Sequence, residues 1–254
     1  MDVPDPLRIL VSIGFTLLLV ILRVDAQRFG AAEYDEPDRD GRMPSLRRRF
    51  AWYAVGVAGV LAVSFVHPNP AGELFLGPGD RIGAVTLGLG YGLLGAGAAI
   101  AYAYYRYRHV RFPDVFAYPG ALINSVATAF VDEAVFRGLV FGFLIWFGVD
   151  ANLGNLVQAI VYALATRLGA PGRPVWMLPY VLGIGLAGGW LTGVTGGIAA
   201  AFLGHAVTRI AFFLTTGHAG QPLPRGREDE EIERTRRTPD GWRLIGPRES
   251  SGDR

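Results

Sequence analysis

Apolar positions along the chain gather into long runs separated by short polar stretches. A run of about 20 apolar residues is long enough to cross a bilayer as a helix. The sequence therefore predicts an all-α, polytopic integral membrane bundle. Seven runs carry this pattern: Leu7–Leu22, Phe50–Val66, Ile82–Tyr105, Val115–Val149, Leu153–Leu168, Val175–Val194 and Ile198–Thr216.

The arginines between the runs predict the orientation of the bundle. They crowd the stretch between the first two runs, the turn after Tyr105 and the C-terminal tail, whereas the turns at Asp150 and Gly196 have none. Because arginine-rich loops stay in the cytoplasm, we expect a multi-pass protein of the cytoplasmic (inner) membrane with its C-terminus in the cytoplasm. The arginines alternate between the two sides if Val115–Val149 makes one net crossing, which gives seven crossings. If that run crosses twice, the count is eight and the later charge bias becomes poor.

Composition divides the chain into three parts. Residues 1–112 hold the first three runs and an arginine-rich loop, residues 113–216 hold the four later runs with their ionisable residues, and residues 217–254 form a charged tail that we expect to be disordered. The net charge of +2 is small and spread over loops, so the lipid bilayer is an expected partner and nucleic acid is not.

Glycines recur at helical spacing within two of the runs. Gly88, Gly92 and Gly95 fall near one face, as do Gly185, Gly188 and Gly189. Small residues let membrane helices approach closely, so both faces predict tight helix packing.

Three ionisable residues stand out because they lie inside an apolar run. Asp132, Glu133 and Arg137 belong to AFVDEAVFRGLVFGFLIWFG. Such groups are costly in a membrane unless they are paired or hydrated. Glu133 and Arg137 are four residues apart, so they share a helical face and can pair. Asp132 points away from that face, and repulsion between neighbouring carboxylates favours a proton on one of them, which suits general acid–base chemistry. The alternative is an ion pair that fixes helix register.

Further polar candidates lie in the later runs. His205 falls mid-segment, with Arg209 one helical turn beyond it. Arg209 could extend to the interface or bind an anionic group. Tyr162 and Thr166 share a face of the fifth run, where ordinary helix packing is the competing interpretation.

Order and spacing give a resemblance to a known family. The run Asp132-Glu133-Ala-Val-Phe-Arg137 is similar to the Glu-Glu-x-x-x-Arg signature of the CPBP family, which includes type II CAAX prenyl endopeptidases and bacteriocin-processing or immunity proteins. The family's Phe-x-x-x-His signature falls on Tyr162-Ala-Leu-Ala-Thr166, and its His-x-x-x-Asn/Asp signature falls on His205-Ala-Val-Thr-Arg209. The similarity extends over about Pro113–Phe212.

The resemblance implies a helical core with a polar cavity and hydrolysis of a peptide bond in a membrane-associated peptide or protein. By that resemblance, Asp132 is the base, Glu133 and Arg137 support it, and His205 donates to the oxyanion. Tyr162, Thr166 and Arg209 would contact substrate or water. No cofactor is implied; a metal ion is not favoured, because the chain offers few histidine ligands and no cysteine.

Two departures from the signatures keep other functions open. Thr166 cannot exchange a proton near neutral pH as histidine does, and Arg209 is charged where asparagine is neutral. The chain is therefore either an intramembrane endopeptidase or a catalytically weak or inactive relative that binds a membrane peptide as an immunity or scaffold protein. A small transporter is a third class, without an inverted repeat to support it.

Overall fold

A computed structural model of the protein describes residues 4–31, 46–107, 110–113, 119–169, 177–216 and 242–245. These residues form nine α-helices, one 3-10 turn, one π-helix and two strands. The helices are α1 (Asp5–Val24), α2 (Leu46–Val66), α3 (Pro70–Glu73), α4 (Arg81–Tyr107), α5 (Pro119–Asp132), α6 (Phe141–Trp146), α7 (Ala151–Leu168), α8 (Met177–Thr195) and α9 (Ala199–Thr216), with the 3-10 turn at Ala26–Phe29 and the π-helix at Glu133–Val140.

All seven predicted apolar runs coincide with helices, so the all-helical prediction is confirmed. Among the described residues, four helices are long and apolar enough to cross a membrane: Asp5–Val24, Arg48–Val66, Arg81–Tyr105 and Leu178–Thr195. The helix at Ala199–Thr215 is apolar but shorter. The fold is that of a helical integral membrane protein, and the number of crossings stays a prediction.

The long run that carries the ionisable residues is one continuous helix. α5 leads directly into the π-helix, which leads directly into α6, so helical backbone extends from Pro119 to Trp146. The apolar run predicted this segment; the π-helix within it was not predicted. A π-helix joins residues five apart instead of four and is frequent at functional sites.

Two short strands lie outside the helical bundle. β1 (Val110–Pro113) pairs antiparallel with β2 (Trp242–Ile245). The predicted disordered tail lies outside the described residues except for β2, which is a strand rather than irregular chain. Part of the tail thus returns to the segment between α4 and α5.

Glycines bring the helices together as their spacing predicts. On α4, a Cβ added at Gly88 would lie 2.9 Å from the Ala200 carbonyl oxygen, and one at Gly92 would lie 2.8 Å from Cβ of Val207. Larger residues at these positions would push α9 away. This contact holds α9, and with it His205, against the bundle.

Candidate active site

The candidate active site is centred on the start of the π-helix. Asp132 is the last residue of α5, and Glu133 and Arg137 lie in the π-helix. All three side chains are completely buried. Ionised groups at this depth require partners, and the structure supplies a different set for each carboxylate.

Glu133 is engaged at both of its oxygens. Arg137 Nε lies 3.2 Å from Oε2, in the pairing that the four-residue spacing predicts. His205 Nδ1 lies 2.7 Å from Oε1. An ionised carboxylate only accepts hydrogen bonds, so the tautomer that suits this contact carries its proton on Nδ1 and its lone pair on Nε2.

Arg137 is held by α7 and α8 as well as by Glu133. Its guanidinium carbon lies 4.1 Å from the centre of the Tyr162 ring, and its Nη2 donates to the Ile184 carbonyl at 3.3 Å. A Cβ added at Gly188 would lie 2.9 Å from Arg137 Nε and 3.2 Å from Glu133 Oε2. Gly188 therefore leaves the space that the ion pair occupies.

Asp132 has a partner from outside the predicted core. Arg23 Nε, in the last turn of α1, lies 2.7 Å from Asp132 Oδ1. Arg23 Nη2 also makes a long contact of 3.5 Å with Thr166 Oγ1. The second oxygen of Asp132, Oδ2, is buried and has no hydrogen-bond partner among the described residues.

Arg209 is buried rather than extended to an interface. Only 8% of it is exposed, and its Nε and Nη2 find no hydrogen-bond acceptor in the described part of the chain. Its charge interacts with that of Asp132. Of the two roles that the sequence left open, this burial argues against extension to the surface, and donation to an anionic group stays a prediction.

The predicted residues, together with Arg23, fall into two groups. The Glu133 cluster comprises Glu133, Arg137, His205 and Tyr162, and the Asp132 cluster comprises Asp132, Arg23, Thr166 and Arg209. The Tyr162 ring also packs against Phe136 of the π-helix, with ring centres 5.1 Å apart. Thr166 contacts Arg23, and no hydrogen bond joins it to Asp132 in the described residues.

Arg23 was missed as a site residue. Its position after the apolar run Leu7–Leu22 made it look like a loop arginine that sets orientation, but it is helical and only 3% exposed. The one available signal was that it follows the run by a single residue, so that a helix extended by half a turn would include it.

The donor set does not fit a metal ion. In the described ranges, no three His, Asp or Glu side chains are grouped so as to hold one. Arg23 and Arg137 instead engage the two carboxylates, and cationic neighbours compete with a metal for the same oxygens.

Buried acids, bases and arginines within a helical bundle define a class: integral membrane proteins with an ionisable centre between their helices. Residues 113–211 match the family model described as Type II CAAX prenyl endopeptidase Rce1-like. The match agrees with the resemblance read from the motifs of this segment, which is confirmed. Comparisons with curated proteins and with solved structures gave no match.

Proposed function

We propose that the protein is an intramembrane endopeptidase whose general base is the Glu133–His205 dyad. The observation that carries this proposal is the 2.7 Å contact between His205 Nδ1 and Glu133 Oε1. The family match supports CAAX protease-like chemistry in general. In this proposal the base is His205 paired with Glu133, whereas the motif resemblance assigns the role of base to Asp132.

The geometry of the Glu133 cluster suits proton transfer. With Nδ1–H donated to Glu133, the lone pair of His205 Nε2 can take a proton from water. The resulting hydroxide adds to the peptide carbonyl, and the same proton then passes to the leaving amine as the C–N bond breaks. Glu133 stabilises the transient imidazolium, while Arg137 orients the Glu133 carboxylate through their ion pair.

Arg209 is suited to stabilising the oxyanion. It lies one turn beyond His205 on α9, so both side chains share a helical face. Its Nε and Nη2 have no competing acceptor among the described residues. A donor already placed where negative charge develops contributes about 10²–10³ to the rate.

The substrate that fits this site is a peptide bond in a membrane-associated protein or peptide, approached from the bilayer. The arginine distribution supports an orientation with the C-terminus in the cytoplasm. On this orientation, Arg23 and Thr166 lie at the cytoplasmic ends of α1 and α7, so a substrate would enter from that side.

A second function is favoured by one specific contact. Arg23 neutralises Asp132, and Thr166 supplies no acid–base group beside it. If the dyad does not turn over, the same buried donors would bind a membrane peptide without cleaving it, as in an immunity or scaffold protein.

The test uses the full chain reconstituted in lipid nanodiscs with a membrane-protein fraction. Mass spectrometry compares new peptide termini produced by the wild type and by His205→Gln. We expect a loss of about 10²–10⁴ in rate for His205→Gln. The matched control is His67→Gln, which makes the same change at the end of α2, away from both clusters.

The outcomes separate the two functions. Termini that depend on His205 and persist in His67→Gln support the peptidase. If the wild type yields no new termini at any substrate concentration but still crosslinks to membrane peptides, the peptidase proposal fails and the binding function stands.

A further inference from the structure

The Arg23–Asp132 contact joins residues on opposite sides of the family boundary. Asp132 lies within the matched residues 113–211, whereas Arg23 belongs to α1, well before them. We propose that Arg23 is a positioning residue of the site: it holds the Asp132 carboxylate in place through their ion pair and fills the space between Asp132 and Thr166. The effect of Arg23 on catalysis rests on the proposed function, whereas its effect on the position of Asp132 does not.

The first support is the burial of the pair. Arg23 and Asp132 leave 3% and 0% of their side chains exposed, at an Nε–Oδ1 distance of 2.7 Å. Removing one member of such a pair strands the other charge in a medium that cannot solvate it. The two side chains therefore depend on each other, and Asp132 depends on α1.

The second support is the short side chain at position 166. Thr166 is 2% exposed and its Oγ1 is 3.5 Å from Arg23 Nη2. An imidazole at this position would extend beyond the hydroxyl and meet the guanidinium. Arg23 and a small residue at 166 are thus complementary, and the arginine stands where the histidine of the signature would lie.

The third support is the close approach of α1 and α7. A Cβ added at Gly169, at the end of α7, would overlap the Arg23 carbonyl oxygen and lie 3.4 Å from Arg23 Nη1. Glycine at 169 lets α7 sit directly on the Arg23 backbone. The helix that carries Thr166 and the helix that carries Arg23 are therefore held together at this point.

An arginine partner in place of a histidine changes the chemistry that is open to Asp132. A guanidinium is always protonated and only donates, so it cannot relay a proton from Asp132 as an imidazole can. Asp132 then acts through its charge and through Oδ2, and proton transfer falls to Glu133 and His205.

The pairing is tested by a double-mutant cycle on the full chain in detergent. Arg23→Met and Asp132→Asn should each lower the melting temperature by roughly 10 °C, and the double variant should recover most of that loss. Arg28→Met is the matched control, because Arg28 is 80% exposed in the 3-10 turn. Additive losses in the double variant would overturn the pairing.

The positioning is tested by the reactivity of Asp132. A hydrophobic carbodiimide labels protonated carboxyl groups in membranes, and mass spectrometry locates the label. We expect no label at Asp132 in the wild type or in Arg23→Lys, and strong label in Arg23→Met. Equal labelling of Asp132 in all three proteins would overturn the proposal. Neither measurement requires hydrolysis. An inactive wild type would therefore contradict the peptidase proposal, whereas the positioning of Asp132 by Arg23 would still be decided by these two measurements.

Discussion

Glu133 Oε1 lies 2.7 Å from His205 Nδ1, which joins the π-helix to α9 across the bundle. Arg137 occupies the other oxygen of Glu133 at 3.2 Å. The Glu133 carboxylate therefore contacts a cation from its own helix and an imidazole from another helix. Several measurable consequences follow from the packing of these side chains.

Glu133→Gln is expected to destabilise the protein. The amide keeps the shape of the side chain but leaves Arg137 buried without an anion, at a cost of about 3–5 kcal/mol. Thermal unfolding in detergent measures the change. Glu73→Gln, at a half-buried position in α3, is the control and should shift the melting temperature little; an unchanged melting temperature for Glu133→Gln would contradict the ion pair.

Gly188→Ala is expected to displace the Arg137 guanidinium. The new methyl group would lie 2.9 Å from Arg137 Nε, an overpacking that costs about 1–3 kcal/mol. Gly183→Ala is the matched control on the same helix, where nothing lies within 4 Å of the added carbon. Melting temperatures of the two variants should move in opposite directions, because alanine is the better helix former at an open position. A parallel shift would argue against a special packing role for Gly188.

The Tyr162 ring is expected to stabilise Arg137 by a cation–π contact. Tyr162→Phe keeps the ring under the guanidinium and should be close to neutral. Tyr162→Leu removes the ring and should cost about 2 kcal/mol at a desolvated site. Denaturation of the two variants measures the difference. If the phenylalanine and leucine variants were equally stable, the 4.1 Å contact would carry no energy of its own.

His67, in the turn after α2, is expected to make the fold sensitive to mild acid. Burial lowers the pKa of His67 below its usual 6.5, although Glu73, with Oε2 at 3.7 Å, partly opposes the shift. Arg8 also faces the ring and acts in the same direction as burial. The unfolded chain therefore binds the proton first, so stability is complete above about pH 6.5 and falls as the pH drops below that value.

The measurement for His67 is the melting temperature between pH 8 and pH 5 in the wild type and in His67→Gln. The difference between the two curves isolates this residue from His205 and from the carboxylates. We expect the wild type to lose more stability on acidification than the variant. A difference that does not change with pH would contradict the prediction.

The helices and the first ion pair were predictable because they depend on local pattern. Apolar runs located every long helix that the structure describes, and the spacing of Glu133 and Arg137 placed them on one face. The glycine faces of α4 and α8 followed from the same periodicity. In each case residues close in sequence carried the information.

The partners of Asp132 and Glu133 were not predictable in the same way. His205 was a candidate by its depth, but its contact with Glu133 depends on how α9 packs against the π-helix. Arg23 was assigned to a loop, since an arginine beside an apolar run has the same sequence signature whether it faces solvent or another helix. The π-helix leaves no mark in the apolar pattern.

The close contact between Gly169 and Arg23 has a consequence for making chimeras of related proteins. The matched residues 113–211 include the positions of all three signatures, so a chimera made at those boundaries would seem to move the whole centre. Such a chimera would lack Arg23, and Asp132 would enter a host whose first helix need not carry a cation to neutralise it. The segment that matches the family model is therefore smaller than the part that would have to be transplanted. A working graft would need α1 as well as Gly169, which contact each other.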